Sequence, residues 1–168
     1  YTGKTLADLE AELNQSFEQI LIDVIGPEWA SGAYFVMDDA LQSRLLSDPF
    51  VGVSSDGSPT GFHPRGHGTF AKIIEEYVVN RESLELTEAI RKMTSFAADV
   101  LGIADRGRLV PGMAADLVIF DPARVTATAT YPQPHQLAAG FDLVMVNGEV
   151  AFADGAAASE LFGRVLRP

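Results

Sequence analysis

The pattern of apolar residues changes at Gly102, and this change constrains the fold more than any other feature. Before it, helical spacings alternate with two short apolar runs, at residues 33–37 and 50–54. Strands that alternate with helices are typical of a parallel sheet. After it, the run 117–120 and the pair Asn147-Gly148 between two apolar segments predict strands and a hairpin. The sequence therefore predicts an α/β chain whose last third is mostly β.

Apolar spacing and residues that commonly begin a helix predict the helices. Predicted starts are Thr5, Ser16, Asp38 or Asp39, Phe70, Thr87 and Ser95. Gly26-Pro27 is expected to end the second of these helices, and Gly102 the last. In the β part, residues 126–135 carry little charge and are predicted to form a long loop.

Composition limits the class of protein. Of the 168 residues, 47% are apolar and 21% are charged, as in ordinary folded domains, which excludes wholesale disorder. Acidic residues number 23 against 12 basic ones, and the net charge of −11 argues against binding to nucleic acid or to an anionic membrane surface. No apolar run approaches the roughly 20 residues that span a bilayer. Cysteine is absent, which excludes disulfides and thiolate metal ligands and agrees with the cytoplasmic location that we expect.

Residues 54–68 form the segment in which chemistry is most expected. They are rich in Gly, Pro, Ser and His and follow the predicted strand 50–54. Ligands bind at this end of the strands in open sheets and in barrels. Asp56 could ligate a metal or take a proton from a bound water, and it could equally be a turn residue before Gly57.

Basic groups follow in the same segment. Arg65 presents a planar fork that suits a carboxylate, although it could also make ordinary surface contacts. His63 and His67 could each be a ligand or a proton carrier, but a lone histidine in a loop more often has neither role.

Other polar residues are interpreted as structural. His135 could close over a site, but it is expected to pack a loop. Asp116 is expected to bond turn amides, and Glu75 with Glu76 to form a solvated helix face. The sequence contains no glycine-rich phosphate motif and no H-x-H or H-E-x-x-H metal motif. A complete metal centre therefore cannot be assembled from its motifs.

Several motifs, taken together, resemble one branch of a known superfamily. The most specific are SSDG at residues 54–57 and HPRGHGTF at residues 63–70. They are followed in order by RKMTS (91–95), the segment 105–122, PHQ (134–136), VNG (146–148) and GRVLR (163–167). Over nearly its whole length the chain resembles the D-aminoacylase, or N-acyl-D-amino-acid deacylase, branch of the amidohydrolase superfamily. The segment around Asp116 is common to many amidohydrolases and marks only the superfamily.

The resemblance implies a fold. The family fold is a (β/α)₈ barrel beside a small β-domain built from both ends of the chain, and a barrel needs at least about 200 residues. These 168 residues are therefore expected to be a C-terminal fragment. Residues 1–103 would be the C-terminal part of the barrel, with 33–37 as strand seven and 50–55 as strand eight. Residues 104–168 would be the C-terminal segment of the small β-domain, and the N-terminal part of the same protein would be the missing partner.

The resemblance also implies a reaction. The enzyme would be a zinc-dependent hydrolase that cleaves an N-acyl-D-amino acid, its substrate, to a carboxylate and a free amino acid. Asp56 would be the general base and a metal ligand, Arg65 would grip the substrate carboxylate, and His63 and His67 would line the substrate site. Because most zinc ligands would lie outside this chain, the isolated chain is expected to be inactive. His67 stands where the family is expected to have an aromatic residue such as tyrosine.

Two alternatives remain open. The chain could be a non-catalytic domain for folding, docking or oligomerisation, since exposed edges of strands seven and eight would favour self-association. It could also belong to a different amidohydrolase, such as a cyclic-amide hydrolase. The segment around Asp116 permits that reading, but the HPRGHGTF loop argues against it.

Overall fold

In the computed structural model, the described part of the chain up to residue 101 consists of helices and the segments that connect them. The structure describes residues 1, 3–27, 32–58 and 60–166; Pro59 of the predicted site loop and Arg167 of the closing motif lie outside this part. The helices are α1 (Leu6–Leu13), α2 (Phe17–Gln19, continued as a π-helix over Ile20–Ile25), α3 (Asp39–Ser47), α4 (Arg65–Lys72, continued as a π-helix over Ile73–Asn80), α5 (Leu86–Met93) and α6 (Ser95–Leu101). Within the described ranges, no helix has the length and apolar character needed to cross a membrane.

Local hydrogen bonds explain where the first helices begin. Thr5 starts α1 with a capping box, in which Thr5 Oγ1 accepts from the Asp8 amide at 3.1 Å and Asp8 Oδ2 accepts from the Thr5 amide at 2.8 Å. Ser16 begins α2 with a box of the same kind. Asp38 caps α3 by accepting a hydrogen bond from the Leu41 amide at 2.7 Å. These predicted starts are confirmed.

Three helices begin at other residues than predicted, and for α5 the difference is small, since it begins at Leu86 and not at Thr87. Helix α4 begins at Arg65, well before the predicted start near Phe70. Pro64 precedes it with a φ of −59°, which suits the entry to a helix, and His63 Nδ1 accepts from the Arg65 amide at 3.1 Å. Residues 65–68 of the predicted loop are therefore helical. Helix α6 has Thr94, not Ser95, at its N-cap.

The second part of the chain forms an antiparallel sheet. Its strands are β1 (Leu117–Phe120), β2 (Phe141–Val146), β3 (Glu149–Ala153) and β4 (Ala156–Ala157), in the spatial order β1-β2-β3-β4. Asn147 and Gly148 join β2 to β3 with φ values of 53° and 86°, as a type I′ turn requires. The predicted β region and its hairpin are confirmed.

The strands predicted at 33–37 and 50–54 are wrong. Neither segment is hydrogen-bonded into a sheet in the described part of the chain, where all strand pairs are antiparallel. The side chains of Tyr34 and Phe50 are 82% and 86% exposed, although buried strands were expected there. A strand is defined by its hydrogen bonds to a neighbour, and these segments find none among the described residues. The observed class is therefore mixed helices with an antiparallel sheet.

Two clusters of buried apolar side chains hold these elements together. The first lies between α3, the continuation of α4, and α5, and consists of Leu46, Ile73, Tyr77, Leu84 and Ala89. The second joins Ala71 and Ile74 to Val125, with Phe120 and Phe141 of the sheet packed against them. This second cluster fixes the sheet against α4. It thereby also places residues 126–139, here called the 126–139 loop, beside that helix.

Candidate active site

Asp56 and Arg65 meet at the start of α4. Arg65 Nη2 lies 2.8 Å from Asp56 Oδ2, and Arg65 Nε donates to the backbone carbonyl of Asp56 at 3.0 Å. A guanidinium that uses two donors on one acceptor residue is held in direction as well as in distance. The structure thus brings together the two residues to which the sequence assigns the base and the carboxylate clamp.

The backbone around Asp56 is shaped for this approach. A Cβ at Gly57 would lie 2.7 Å from Gly66 Cα, so only glycine allows the segment to come so near α4. Ser55 Oγ accepts from the Gly57 amide at 3.1 Å and stabilises the turn. Asp56 itself has a φ of 46°, in the left-handed region that few residues other than glycine adopt. Such strain is concentrated at functional sites.

The two ring nitrogens of His63 contact two neighbours, and these contacts are consistent with one tautomer of the neutral ring. Its Nδ1 accepts from the Arg65 amide at 3.1 Å, and its Nε2 lies 3.3 Å from Tyr131 Oη. Burial and the charge of Arg65 lower the pKa of His63, and Asp56 raises it by less. The neutral ring therefore carries its hydrogen on Nε2. Both ring nitrogens of His63 make contacts within the chain. His63 is therefore better suited to support its neighbours in the site than to act as a ligand.

The rings of His67 and His135 lie against each other. Their ring centres are 5.4 Å apart, and the His135 ring is 5.3 Å from that of Phe62. His135 Nε2 lies 2.9 Å from the carbonyl oxygen of Gly61, which confirms that His135 packs a loop. His67 Nδ1 is buried and has no hydrogen-bond partner among the residues that the structure describes.

Sequence reasoning misses Tyr131. Its ring packs edge-on against Phe35 and His63, with ring centres 5.0 and 5.1 Å apart. The signal available in the sequence was an aromatic residue in a low-charge loop just before PHQ. That signal was too general to distinguish a site residue from a packing residue.

The segment that precedes the site is held by α5, which sequence reasoning also misses. Lys92 is fully buried, and its Nζ donates to the carbonyl oxygens of Asp48 and Val51, the second at 2.6 Å. Arg91 Nη2 donates to the carbonyl oxygen of Pro49 at 2.8 Å. A fully buried lysine is rare and is normally paired. The RKMTS motif thus has a structural explanation in these contacts.

Glu75 anchors the 126–139 loop to the helix. Its Oε2 accepts from the Ala127 amide at 2.8 Å in a partly buried position. Glu76 Oε1 accepts from Arg81 Nε at 2.6 Å. The prediction of a solvated helix face is therefore wrong for Glu75, because its carboxylate is partly buried against a loop that lies 52 positions away along the chain.

Asp116 has the structural role predicted for it. Its Oδ1 accepts from the Asn147 amide at 2.7 Å, and its Oδ2 binds Arg106. Burial alone would raise the pKa of Asp116, but the Asn147 amide and the Arg106 charge outweigh burial and lower it. Asp116 thus stays ionised and ties the start of β1 to the hairpin turn.

The described residues do not form a metal centre by themselves. No three His, Cys, Asp or Glu side chains in the described ranges come together closely enough to hold a metal ion. Catalytic zinc is commonly held by about three protein ligands. The Asp56 side chain, 81% exposed, can supply one carboxylate. A zinc ion bound there would need its other ligands from outside these residues.

The helices, the antiparallel sheet and the acid–arginine pair agree with one class of hydrolases. A model of the amidohydrolase family matches residues 5–152, and the chain belongs to this family. The chain is 40% identical to the N-acyl-D-aspartate deacylase of Alcaligenes xylosoxydans xylosoxydans over 99% of its length, and 36% identical to the D-aminoacylase of that organism over 98%. It spans about a third of the length of these curated relatives. The resemblance predicted from the motifs is confirmed.

Solved structures agree with this assignment. A D-aminoacylase crystal structure matches 97% of this chain with a TM-score of 0.85 and 35% identity, over 34% of its own chain. The N-acyl-D-glutamate deacylase of Bordetella bronchiseptica matches 98% with a TM-score of 0.84 and 34% identity, again over 34% of its chain. That structure holds zinc and a phosphonate inhibitor that mimics the tetrahedral intermediate.

Proposed function

We propose that this chain is part of a zinc-dependent hydrolase that cleaves N-acyl-D-amino acids to a carboxylate and a free D-amino acid. The observation that carries the proposal is the pairing of Asp56 with Arg65, in a chain similar along its length to deacylases of this kind. Residues 1–103 would be the C-terminal part of the barrel and residues 104–168 the C-terminal segment of the small β-domain. The remainder of a protein about three times as long would complete both the barrel and the small β-domain. We propose a cytoplasmic location for this protein.

Asp56 is the general base in this proposal. It takes a proton from the water that attacks the amide carbonyl carbon, and it gives this proton to the leaving nitrogen as the C–N bond breaks. Zinc, when bound in the full-length protein, supplies a Lewis acid that polarises the carbonyl and makes water more acidic. The exposed carboxylate of Asp56 leaves room for a water molecule at Oδ1, which has no partner within the described ranges.

Arg65 binds the α-carboxylate of the substrate in this proposal. Its guanidinium already holds a group of the same chemistry, the carboxylate of Asp56. Arg65 Nη2 is the donor that holds the Asp56 carboxylate. A substrate carboxylate that takes this donor would release Asp56 from Arg65, and the base would then be free with its substrate in place.

The two histidines have different prospects as substrate-binding residues. His67 keeps a buried Nδ1 without a partner among the described residues, and a polar atom of a bound substrate would satisfy it. His63 uses both ring nitrogens for contacts within the chain. We therefore retain His67 as a candidate contact to the substrate and regard His63 as a support for Arg65.

The test uses the full-length protein loaded with zinc and measures the release of free amino acid from N-acetyl-D-amino acids. We expect Asp56→Asn to lower kcat by about 10²- to 10⁴-fold. We expect Arg65→Met to raise KM by about 10- to 100-fold, the effect of losing charge-assisted hydrogen bonds. Asp23→Asn and Arg44→Met, at exposed positions on other elements, are the matched controls. Activity of Asp56→Asn equal to that of its control would contradict the proposal, and activity on cyclic amides alone would favour the cyclic-amide hydrolase.

A further inference from the structure

The Tyr131 side chain joins segments that are far apart in the sequence. Its ring packs against Phe35 of the 33–37 segment and against His63, with ring centres 5.0 and 5.1 Å away. Its hydroxyl lies 3.3 Å from His63 Nε2, across 68 positions of sequence. The loop that carries it is itself fixed, because Glu75 accepts from the Ala127 amide at 2.8 Å. Tyr131 is therefore a rigid contact from the β part of the chain to the site.

The hydrogen bonds around His63 leave one consistent arrangement of hydrogens. The backbone N–H of Arg65 can only donate, so His63 Nδ1 must accept. A neutral imidazole then carries its hydrogen on Nε2, and Tyr131 Oη accepts that hydrogen. In the other tautomer, two N–H donors would face each other at Arg65. The Arg65 amide thus selects this tautomer, and the hydroxyl of Tyr131 accepts the Nε2 hydrogen and holds the His63 ring in place against the first residue of α4.

Arg65 depends on this support because its own side chain is weakly packed. The side chain is 46% exposed, and among the described residues its guanidinium bonds only to Asp56. If a substrate carboxylate takes the place of Asp56, those contacts are lost. The direction of the side chain is then set by the backbone at position 65, which His63 holds.

We infer that Tyr131 is a positioning residue, which acts through His63 to hold Arg65 where it meets the substrate carboxylate. The role of Arg65 in this inference rests on the proposed function. The link from Tyr131 to His63 to the Arg65 amide stands on contacts within the chain and can be measured without substrate.

The kinetic test uses Tyr131→Phe, which removes the hydroxyl and keeps the ring contacts, in the full-length protein loaded with zinc. We expect KM for an N-acetyl-D-amino acid to rise about 3- to 10-fold, as the loss of one hydrogen bond permits, while kcat stays unchanged. For an N-acyl amine that lacks the carboxylate, kcat/KM should equal that of the wild type. Tyr34→Phe is the matched control, because that side chain is 82% exposed. An equal loss on both substrates, or an unchanged KM, overturns the inference.

Amide hydrogen exchange tests the structural link and keeps the two proposals separable. We expect the Arg65 amide to exchange faster in Tyr131→Phe and in His63→Ala than in the wild type. His63→Asn should restore the protection, because an asparagine side chain can accept from the amide two residues on. If the full-length protein has no deacylase activity, the proposed function fails, and exchange at Arg65 still decides the link. Unchanged exchange in both Tyr131→Phe and His63→Ala, or ¹⁵N NMR evidence for hydrogen on His63 Nδ1 in the wild type, overturns it.

Discussion

The buried ammonium of Lys92 provides the sharpest test of how the site is supported. Its Nζ is removed from solvent and donates to the carbonyl oxygens of Asp48 and Val51. Glu88 Oε1 lies 3.6 Å from this ammonium nitrogen. Lys92→Met keeps the shape of the side chain and removes its donors. We expect this change to loosen the segment that leads into the site and to destabilise the fold.

The expected loss can be worked out from the two acceptors. The Val51 carbonyl is partly buried, and an acceptor left without its donor there costs about 1–3 kcal/mol. Asp48 is exposed, so water can replace the lost donor, and this contact adds about 0.5–1.5 kcal/mol. Relief of the desolvated ammonium offsets part of the total. We therefore expect the free energy of unfolding to fall by about 1–3 kcal/mol.

Urea titration followed by circular dichroism measures this loss as a shift of the midpoint at unchanged slope. Lys72→Met is the matched control, because Lys72 is exposed on α4, and we expect it to change stability by less than about 0.5 kcal/mol. If Lys92→Met is as stable as this control, the lysine does not hold the segment. If it is more stable than the wild type, the desolvation of the ammonium exceeds the value of its hydrogen bonds.

Two further predictions concern a glycine and an arginine. Gly57→Ala should lower the free energy of unfolding in urea by about 1–3 kcal/mol, because its Cβ would lie 2.7 Å from the backbone of α4, whereas Gly163→Ala meets nothing and should be neutral. Arg81 lowers the pKa of both Asp39 and Glu76 by hydrogen bonding, so its contribution is present above their ordinary values of 3.8 and 4.5 and is lost as pH falls below them. The difference in Tm between wild type and Arg81→Gln should therefore shrink from pH 7 toward about pH 3, and a constant difference would refute this account.

The features that the sequence predicted correctly depend on neighbours along the chain. The Thr5 capping box, the Asp38 cap and the Asn147-Gly148 turn each rest on contacts within a few residues. Such contacts are set by the chemistry of the residues involved and need little help from the rest of the fold. The pairing of Asp56 with Arg65 was accessible for a similar reason, since the two residues are only 9 positions apart along the chain.

The features that the sequence did not predict depend on distant partners. Residues 33–37 have the composition of a buried strand, but a strand needs a neighbour whose identity local sequence does not reveal. The contact of Tyr131 with His63 spans 68 positions, and that of Lys92 with Val51 spans 41. The early start of α4 is an intermediate case. His63 and Pro64 immediately precede the helix, but His63 stabilises its start only when the imidazole ring is oriented toward the Arg65 amide.

The proposed site is divided between the described residues and the rest of the full-length protein, and this division has a physical consequence. In the proposed function, the described residues would supply a base, a carboxylate clamp and the supports that hold the clamp, but they contain no cluster of three metal ligands. Binding of the substrate carboxylate and binding of zinc would then depend on different parts of the full-length protein. Substitution of Tyr131 should change substrate affinity and leave zinc content unaltered, whereas substitution of Asp56 should disturb both the metal and the proton transfer. In this proposal Asp56 is the residue that couples the two functions, because it contacts Arg65 and would also contribute its carboxylate to the metal site.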